Sequence, residues 1–345
     1  MLPADDTLNQ NSKIDRLPEV PVAKLDWKNA GLLLVLVAYV LNGSCCPQGP
    51  APSSGYYQVS IERGRYRTAT GERVCYDLFI PQPDPALPSP PWPAVVLNHG
   101  FARDHTRQRN SALYLAERGV VVLTPDMGCL LGGEDAQLQN IMDLVGEVAW
   151  MAERSATPGD ALNGVLDPAR IGLAGHSAGG AVSFEAAIDA QSTPTPVAAV
   201  CLLDAVPWDR TVARAAEFPG LPFASWRSEP EPCNADGAVR LLLNRLPFPT
   251  EDVLIVGGTH CDPENPSDAA CALACGCSAP ERQSLYQQFL YLFVRETLHA
   301  PDVPSEPASY EAALDRAAAL GSVVRTATAH TCTAPNSDHR AGLKR

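Results

Sequence analysis

The sequence predicts an α/β fold: a mostly parallel central sheet with helices on both faces and no large lid. Three observations carry this. Between about residues 56 and 299, short apolar runs alternate with stretches whose apolar residues recur at helical spacing. The apolar runs are short and nearly uninterrupted, as in parallel strands buried on both faces. A glycine-rich turn, Gly175 to Gly180, lies between one such run and a following helix. The length of 345 residues, with 46% hydrophobic and 19% charged residues, excludes wholesale disorder.

The elements follow in order. Residues 74–80 alternate in period two, as a half-buried strand does. After a proline-rich connection, residues 94–97 form an apolar strand, and 110–118 a helix ended by Gly119. Residues 120–124 form the next strand, stopped by Pro125. Ile141, Leu144, Val145, Val148 and Met151 mark one face of a helix over 140–154. Residues 171–174 read as a strand and 178–190 as a helix. Further strands are expected over 197–203, 222–226 and 252–256, and a long helix over 281–298. In such sheets, reactive groups gather at the carboxyl ends of the strands.

One of those ends carries Gly175, His176, Ser177, Ala178 and Gly179, the pattern G-x-S-x-G. Between a strand and a helix, this pattern makes a turn too tight for side chains at its glycines and lifts the serine hydroxyl clear of the sheet. Ser177 is therefore the candidate nucleophile. A serine hydroxyl needs a base to take its proton, and in this setting the acid and then the histidine follow in the chain. Of the histidines after Ser177, only His260 directly follows an expected strand, on a loop made pliable by Gly257 and Gly258. His176, constrained beside Ser177, is expected to pack locally. Asp204 is favoured as the acid because it ends an apolar strand; Glu229, after the next strand, is the alternative, and Asp209 a distant third. The amides of Ala178, at the head of the helix, and of Phe101, in the loop Asn98, His99, Gly100, Phe101, are the expected oxyanion donors.

These residues resemble the α/β-hydrolase superfamily, and within it the group spanning cutinase-like polyester hydrolases, chlorophyllases and platelet-activating-factor acetylhydrolases. The likeness covers about residues 56–299 and is carried by segments 95–101, 115–124 and 175–180. Leu203, Asp204 and Ala205 resemble the acid position of the acetylhydrolases. Pro207, Trp208 and Asp209 resemble the polyester hydrolases, in which the tryptophan borders the acyl subsite and the acid lies one strand later, as Glu229 does here. Segment 257–262 resembles the polyester-hydrolase histidine loop, which implies a disulfide between Cys233 and Cys261. Ala178 departs from the methionine usual there, and the cysteine-rich insert 268–277 fits no pattern of the group.

The resemblance implies carboxylic-ester hydrolysis through an acyl-enzyme, without metal or cofactor. Phe101, Trp208 and Trp226 are the expected walls of an acyl pocket, and segment 205–222 is too short for a large cap. The same groups also serve thioesterases and peptidases. A non-catalytic surface lipoprotein that binds a ligand or partner on the same fold is the alternative from another class.

The rest of the chain bears on location and partners. The net charge is −13, and the only lysines are Lys13, Lys24, Lys28 and Lys344, so no basic run exists to neutralise phosphates and nucleic-acid binding is not expected. Residues 30–41 form an apolar block of signal-peptide length, preceded by Lys24 and Lys28. With Cys45 and Cys46 just downstream, it resembles a bacterial lipoprotein signal, in which one of those cysteines would be acylated; a signal anchor or a packed N-terminal helix is the alternative. Eleven cysteines agree with export and disulfides. Cys271, Cys275 and Cys277 lack the paired C-x2-C that structural zinc favours. Asp262, Glu264 and Asp268 read as an acidic surface loop rather than a calcium site. The expected organisation is a leader and linker over 1–52, a catalytic domain over 53–299, and a loosely attached tail over 300–345 with one weak helix at 308–320.

Overall fold

A computed structural model describes residues 57–128, 134–302 and 306–328. The leader, the linker with Cys45 and Cys46, and the polar end after residue 328 lie outside the described residues. Among the described residues, no helix is long and apolar enough to cross a membrane.

The architecture is α/β. Among the described residues, nine strands form one sheet: β1 (Val59–Arg67), β2 (Arg73–Pro81), β3 (Trp92–Asn98), β4 (Val121–Pro125), β5 (Leu166–His176), β6 (Ala199–Leu203), β7 (Phe223–Arg227), β8 (Glu251–Ile255) and β9 (Val323–Ala327). Their spatial order is β1-β2-β4-β3-β5-β6-β7-β8-β9. The six strands from β4 to β8 pair in parallel, and only β1–β2, β2–β4 and β8–β9 are antiparallel. The helices, in chain order, are α1 (Arg109–Ala116), α2 (Glu134–Ala156), α3 (Ala178–Ala190), α4 (Asp209–Ala213), α5 (Val239–Leu243), α6 (Ala269–Cys275), α7 (Pro280–Leu298) and α8 (Tyr310–Ala319).

Strand alternation divides the core in two. Ala94 and Val96 of β3, with Val200 and Leu202 of β6, join one apolar cluster, closed by Leu144 and Val148 of α2, Val182 and Phe184 of α3, and Val239 of α5. Val95, Leu97, Cys201 and Leu203 face the other way, onto Leu115 of α1, Phe289 and Phe293 of α7, and Leu314 of α8. Each Val or Leu so buried contributes about 2 kcal/mol relative to exposure. The central strands therefore read as continuous apolar runs because both faces are covered.

Residues 306–328 depart from the expected loose tail. α8 starts at a serine cap, where Ser309 Oγ accepts the Ala312 amide, and it buries Ala313, Leu314 and Ala317. β9 then pairs antiparallel along the free edge of β8. Covering that edge removes an exposed row of backbone donors and acceptors.

Under the first cluster, Glu147 of α2 is buried and accepts a hydrogen bond from the Tyr66 hydroxyl; its Oε2 has no partner among the described residues. Burial pushes its pKa up to about 8; the Tyr66 hydrogen bond opposes this and the Asp143 carboxylate reinforces it. The folded state thus keeps a proton that the unfolded chain releases near pH 4.5. The native state binds more protons between those values, so stability falls by a few kcal/mol as pH rises from about 5 to about 8. Glu147→Gln keeps the acceptor for Tyr66 and removes the ionisation. It is expected to melt higher than wild type at pH 8, with the gap closing toward pH 5. Calorimetry at both pH values checks this, and parallel melting curves would contradict it.

Candidate active site

Ser177 stands between the end of β5 at His176 and the start of α3, and its φ of 56° lies in the left-handed region. Such a backbone is strained for a residue with a side chain. Its neighbours make it possible. A Cβ at Gly175 would lie 2.2 Å from the Gly179 carbonyl oxygen, and one at Gly179 would lie 2.2 Å from the His99 carbonyl oxygen. Both positions must therefore lack a side chain. The Ser177 amide donates to the Leu203 carbonyl at 3.1 Å, and the Val206 amide to the Ser177 carbonyl at 3.0 Å. The end of β6 is thereby locked against the turn.

Asp204 follows β6 with φ of 45°, a second strained residue at this end of the sheet. Its amide donates to the Trp226 carbonyl at 2.7 Å. His260 comes from the loop after β8. Its Nδ1 lies 2.6 Å from Asp204 Oδ2, and its Nε2 lies 2.9 Å from Ser177 Oγ. With Asp204 ionised, Nδ1–H donates to the carboxylate, and Nε2 is free to accept the serine proton. All three side chains are buried. Burial alone would raise the Asp204 pKa, but the hydrogen bonds from His260 and Ser228 outweigh it and hold the carboxyl below its usual range. Chemically, the row can remove a proton from Ser177 Oγ and stabilise the imidazolium that forms.

The loop after β3 closes against the same turn. A Cβ on Gly100 would lie 3.1 Å from Ser177 Cβ. His99, fully buried, accepts the Met127 amide on Nε2 at 3.0 Å and donates from Nδ1 to the Gly100 carbonyl at 2.8 Å, which fixes the loop. Burial lowers the His99 pKa, in keeping with a neutral ring. Phe101 follows with its side chain about half exposed. Ala178 N–H is the first amide of α3, a position with no carbonyl of the helix before it to accept its bond. His176 is buried with its ring 4.6 Å from that of His260, and burial drives its pKa well down. It packs behind the row.

Glu229 stands apart from the histidine side chain. Its carboxylate accepts the Gly257 amide at 3.1 Å, and its own amide donates to the Gly258 carbonyl at 3.1 Å. It braces the loop that carries His260.

Several expectations need correction. Trp226 is not a pocket wall. It is fully buried in the cluster under α7 and α8, and its indole N–H donates to Tyr310 Oη at 2.7 Å. Trp208 is half-buried against the opposite cluster. Cys233 and Cys261 are both disulfide-bonded, but not to each other: the bridges are Cys233–Cys275 and Cys261–Cys271. The insert helix α6 supplies both partners and is thereby pinned to the histidine loop and to the turn at Cys233. The Sγ atoms of Cys261, Cys271 and Cys275 lie within 4.8 Å of one another, but as disulfides they offer no thiolate to a metal.

Asp262, Glu264 and Asp268 are not an acidic surface loop either. Asp262 and Glu264 are buried, Asp262 paired with Arg282 at 2.6 Å and Glu264 with Arg103 at 2.7 Å. Asp268 bridges Arg103 and Arg107 and caps α6. Arginines neutralise all three, which fixes the insert beside the loop of Phe101.

Sequence reasoning missed Ser228, Glu231 and Asn234, which surround Asp204 and His260. Ser228 N donates to Asp204 Oδ1 at 3.0 Å and Ser228 Oγ to Oδ2 at 2.5 Å. The reciprocal cap between Glu231 and Asn234 around a single turn was the available signal. No protein-family model matches the chain, and a search of curated proteins finds no match.

Proposed function

We propose that this chain is a serine hydrolase of carboxylic esters with the α/β-hydrolase fold, acting through an acyl-enzyme. The observation that carries the reading is the buried row Ser177 Oγ, His260 Nε2 and Nδ1, Asp204 Oδ2, with separations of 2.9 and 2.6 Å. It stands on a strained strand-to-helix turn at the carboxyl edge of a parallel sheet.

Ser177 Oγ attacks the ester carbonyl as His260 Nε2 takes its proton. The carbonyl oxygen gains the negative charge and is held by the Phe101 and Ala178 amides. His260 then gives the proton to the departing alkoxide, leaving the acyl group on Ser177. Water, deprotonated by His260, attacks the acyl carbon; the acid leaves, and Ser177 regains its proton. Phe101 and Trp208 border the acyl group in this reading. In the segment between β6 and β7, α4 and a single further turn at Arg214–Glu217 leave little to cover it, which favours small or extended esters. The disulfides support export, since such bonds persist in oxidising compartments.

A series of p-nitrophenyl esters of increasing acyl length tests the proposal. Turnover of the short and medium members is expected, and the decline with length sizes the pocket. A folded protein that hydrolyses none of them would overturn it.

A further inference from the structure

We infer that Asn234, together with Ser228, is a positioning residue for the acid: the two hold the Asp204 carboxylate toward His260 through donors from a turn stapled to the insert. The inference rests on the reading of Ser177, His260 and Asp204 as a proton relay.

Asn234 ends the short turn Pro232–Asn234 and is fully buried. Its Oδ1 accepts two backbone amides, from Glu231 at 2.9 Å and from Gly237 at 2.8 Å. Only an acceptor serves there, so the amide has one orientation and its NH2 group faces inward. That group reaches Ser228 Oγ at 3.0 Å, the Glu229 carbonyl at 2.8 Å, and Asp204 Oδ2 and Oδ1 at 3.3 and 3.4 Å. Ser228 adds its amide and hydroxyl to the same carboxylate. Besides His260, the carboxylate thus meets donors from both Ser228 and Asn234.

The same turn also holds the base. Glu231 Oε1 accepts the His260 amide at 2.5 Å. Between these two residues lies Cys233, tied to Cys275 of α6, while Cys261, next to His260, is tied to Cys271 of the same helix. One turn therefore grips the carboxylate through Asn234 and the histidine backbone through Glu231, and the insert locks it in place. A buried carboxylate deprived of a donor stays partly unpaired, and its geometry toward Nδ1–H loosens.

The decisive variant is Asn234→Asp in the full chain. It keeps the oxygen that accepts the Glu231 and Gly237 amides, so the turn can still close. It replaces the NH2 group with an oxygen that faces Asp204. Two readouts are taken: ester kinetics with a short p-nitrophenyl ester, and the low-field proton resonance of His260 Nδ1–H in the hydrogen bond to Asp204. The expected result is a loss of about tenfold or more in kcat with KM within about twofold, and a displaced or broadened resonance. A folded variant with unchanged kcat and an unmoved resonance overturns the inference. So does a lower melting temperature with the resonance in place, which would mark a purely structural role. If Asn234→Asp fails to fold, Ser228→Ala removes the hydroxyl donor without touching the turn. It is expected to show the same signature, and its absence overturns the inference. If the wild-type chain hydrolyses no ester, the resonance still decides this point, and only the proposed function fails.

Discussion

Ser177→Ala is expected to lower kcat toward ester substrates by about a millionfold, with KM and melting temperature nearly unchanged. The reasons are local. The hydroxyl is the only group on the turn aimed at His260 Nε2, at 2.9 Å. Alanine keeps a Cβ of the same size on the same strained backbone, so the turn is no more crowded than before. The Phe101 and Ala178 amides survive, and residual catalysis of about 10³-fold over water from binding and oxyanion stabilisation would persist. Steady-state assays on both proteins at matched folding, verified by circular dichroism, check this. Activity retained within tenfold would remove Ser177 from the chemistry.

The second large effect separates two carboxylates. Asp204→Asn is expected to lower kcat by about 10⁴-fold, and Glu229→Gln by no more than severalfold. Asp204 accepts from His260 Nδ1–H, Ser228 N–H, Ser228 Oγ–H and the Asn234 NH2 group. An amide there must place its own NH2 against donors, and if that group faces His260 it forces the proton onto Nε2, where it cannot accept from serine. Among the described residues the Glu229 carboxylate accepts only the Gly257 amide, and a glutamine oxygen can do the same. Parallel kinetics of the two variants check the ordering. A large loss in Glu229→Gln with a small one in Asp204→Asn would reverse the assignment of the acid.

Much of the framework was legible because the central strands are buried on both faces. β3, β4 and β6 read as apolar runs with turn residues after them. That Ser177 and His260 would come together was legible for a related reason: each sits just beyond such a run, among glycines. The edges were harder. β1 alternates between half-buried and exposed positions without a strong apolar face, and β9 buries little beyond Val323. Missing β9 and the packing of α8 had a consequence for Trp226. With no cover in view, a tryptophan at a strand end read as a pocket wall, whereas Tyr310 of α8 encloses it.

The insert was illegible for another reason. Which cysteine meets which depends on where α6 folds back, and neither spacing nor resemblance encodes that. On a chain-entropy model the bridges Cys233–Cys275 and Cys261–Cys271, with separations of 42 and 10 residues, contribute about 4 and about 3 kcal/mol. Asp262, Glu264 and Asp268 looked like a solvated acidic loop because their partners Arg282, Arg103 and Arg107 are scattered through the sequence. Asn234 lies in a polar stretch with no periodicity, where only the reciprocal cap with Glu231 marks order.

The central claim is that Ser177 is a nucleophile activated by His260. Its most direct test is reaction with diethyl p-nitrophenyl phosphate, which the relay should attack as it attacks an ester. The account predicts release of about one equivalent of p-nitrophenolate per chain, a stable diethylphosphoryl group on the peptide that contains Ser177, and neither in Ser177→Ala or His260→Ala. A folded wild-type chain that releases no p-nitrophenolate, or that carries the adduct on another residue, would contradict it.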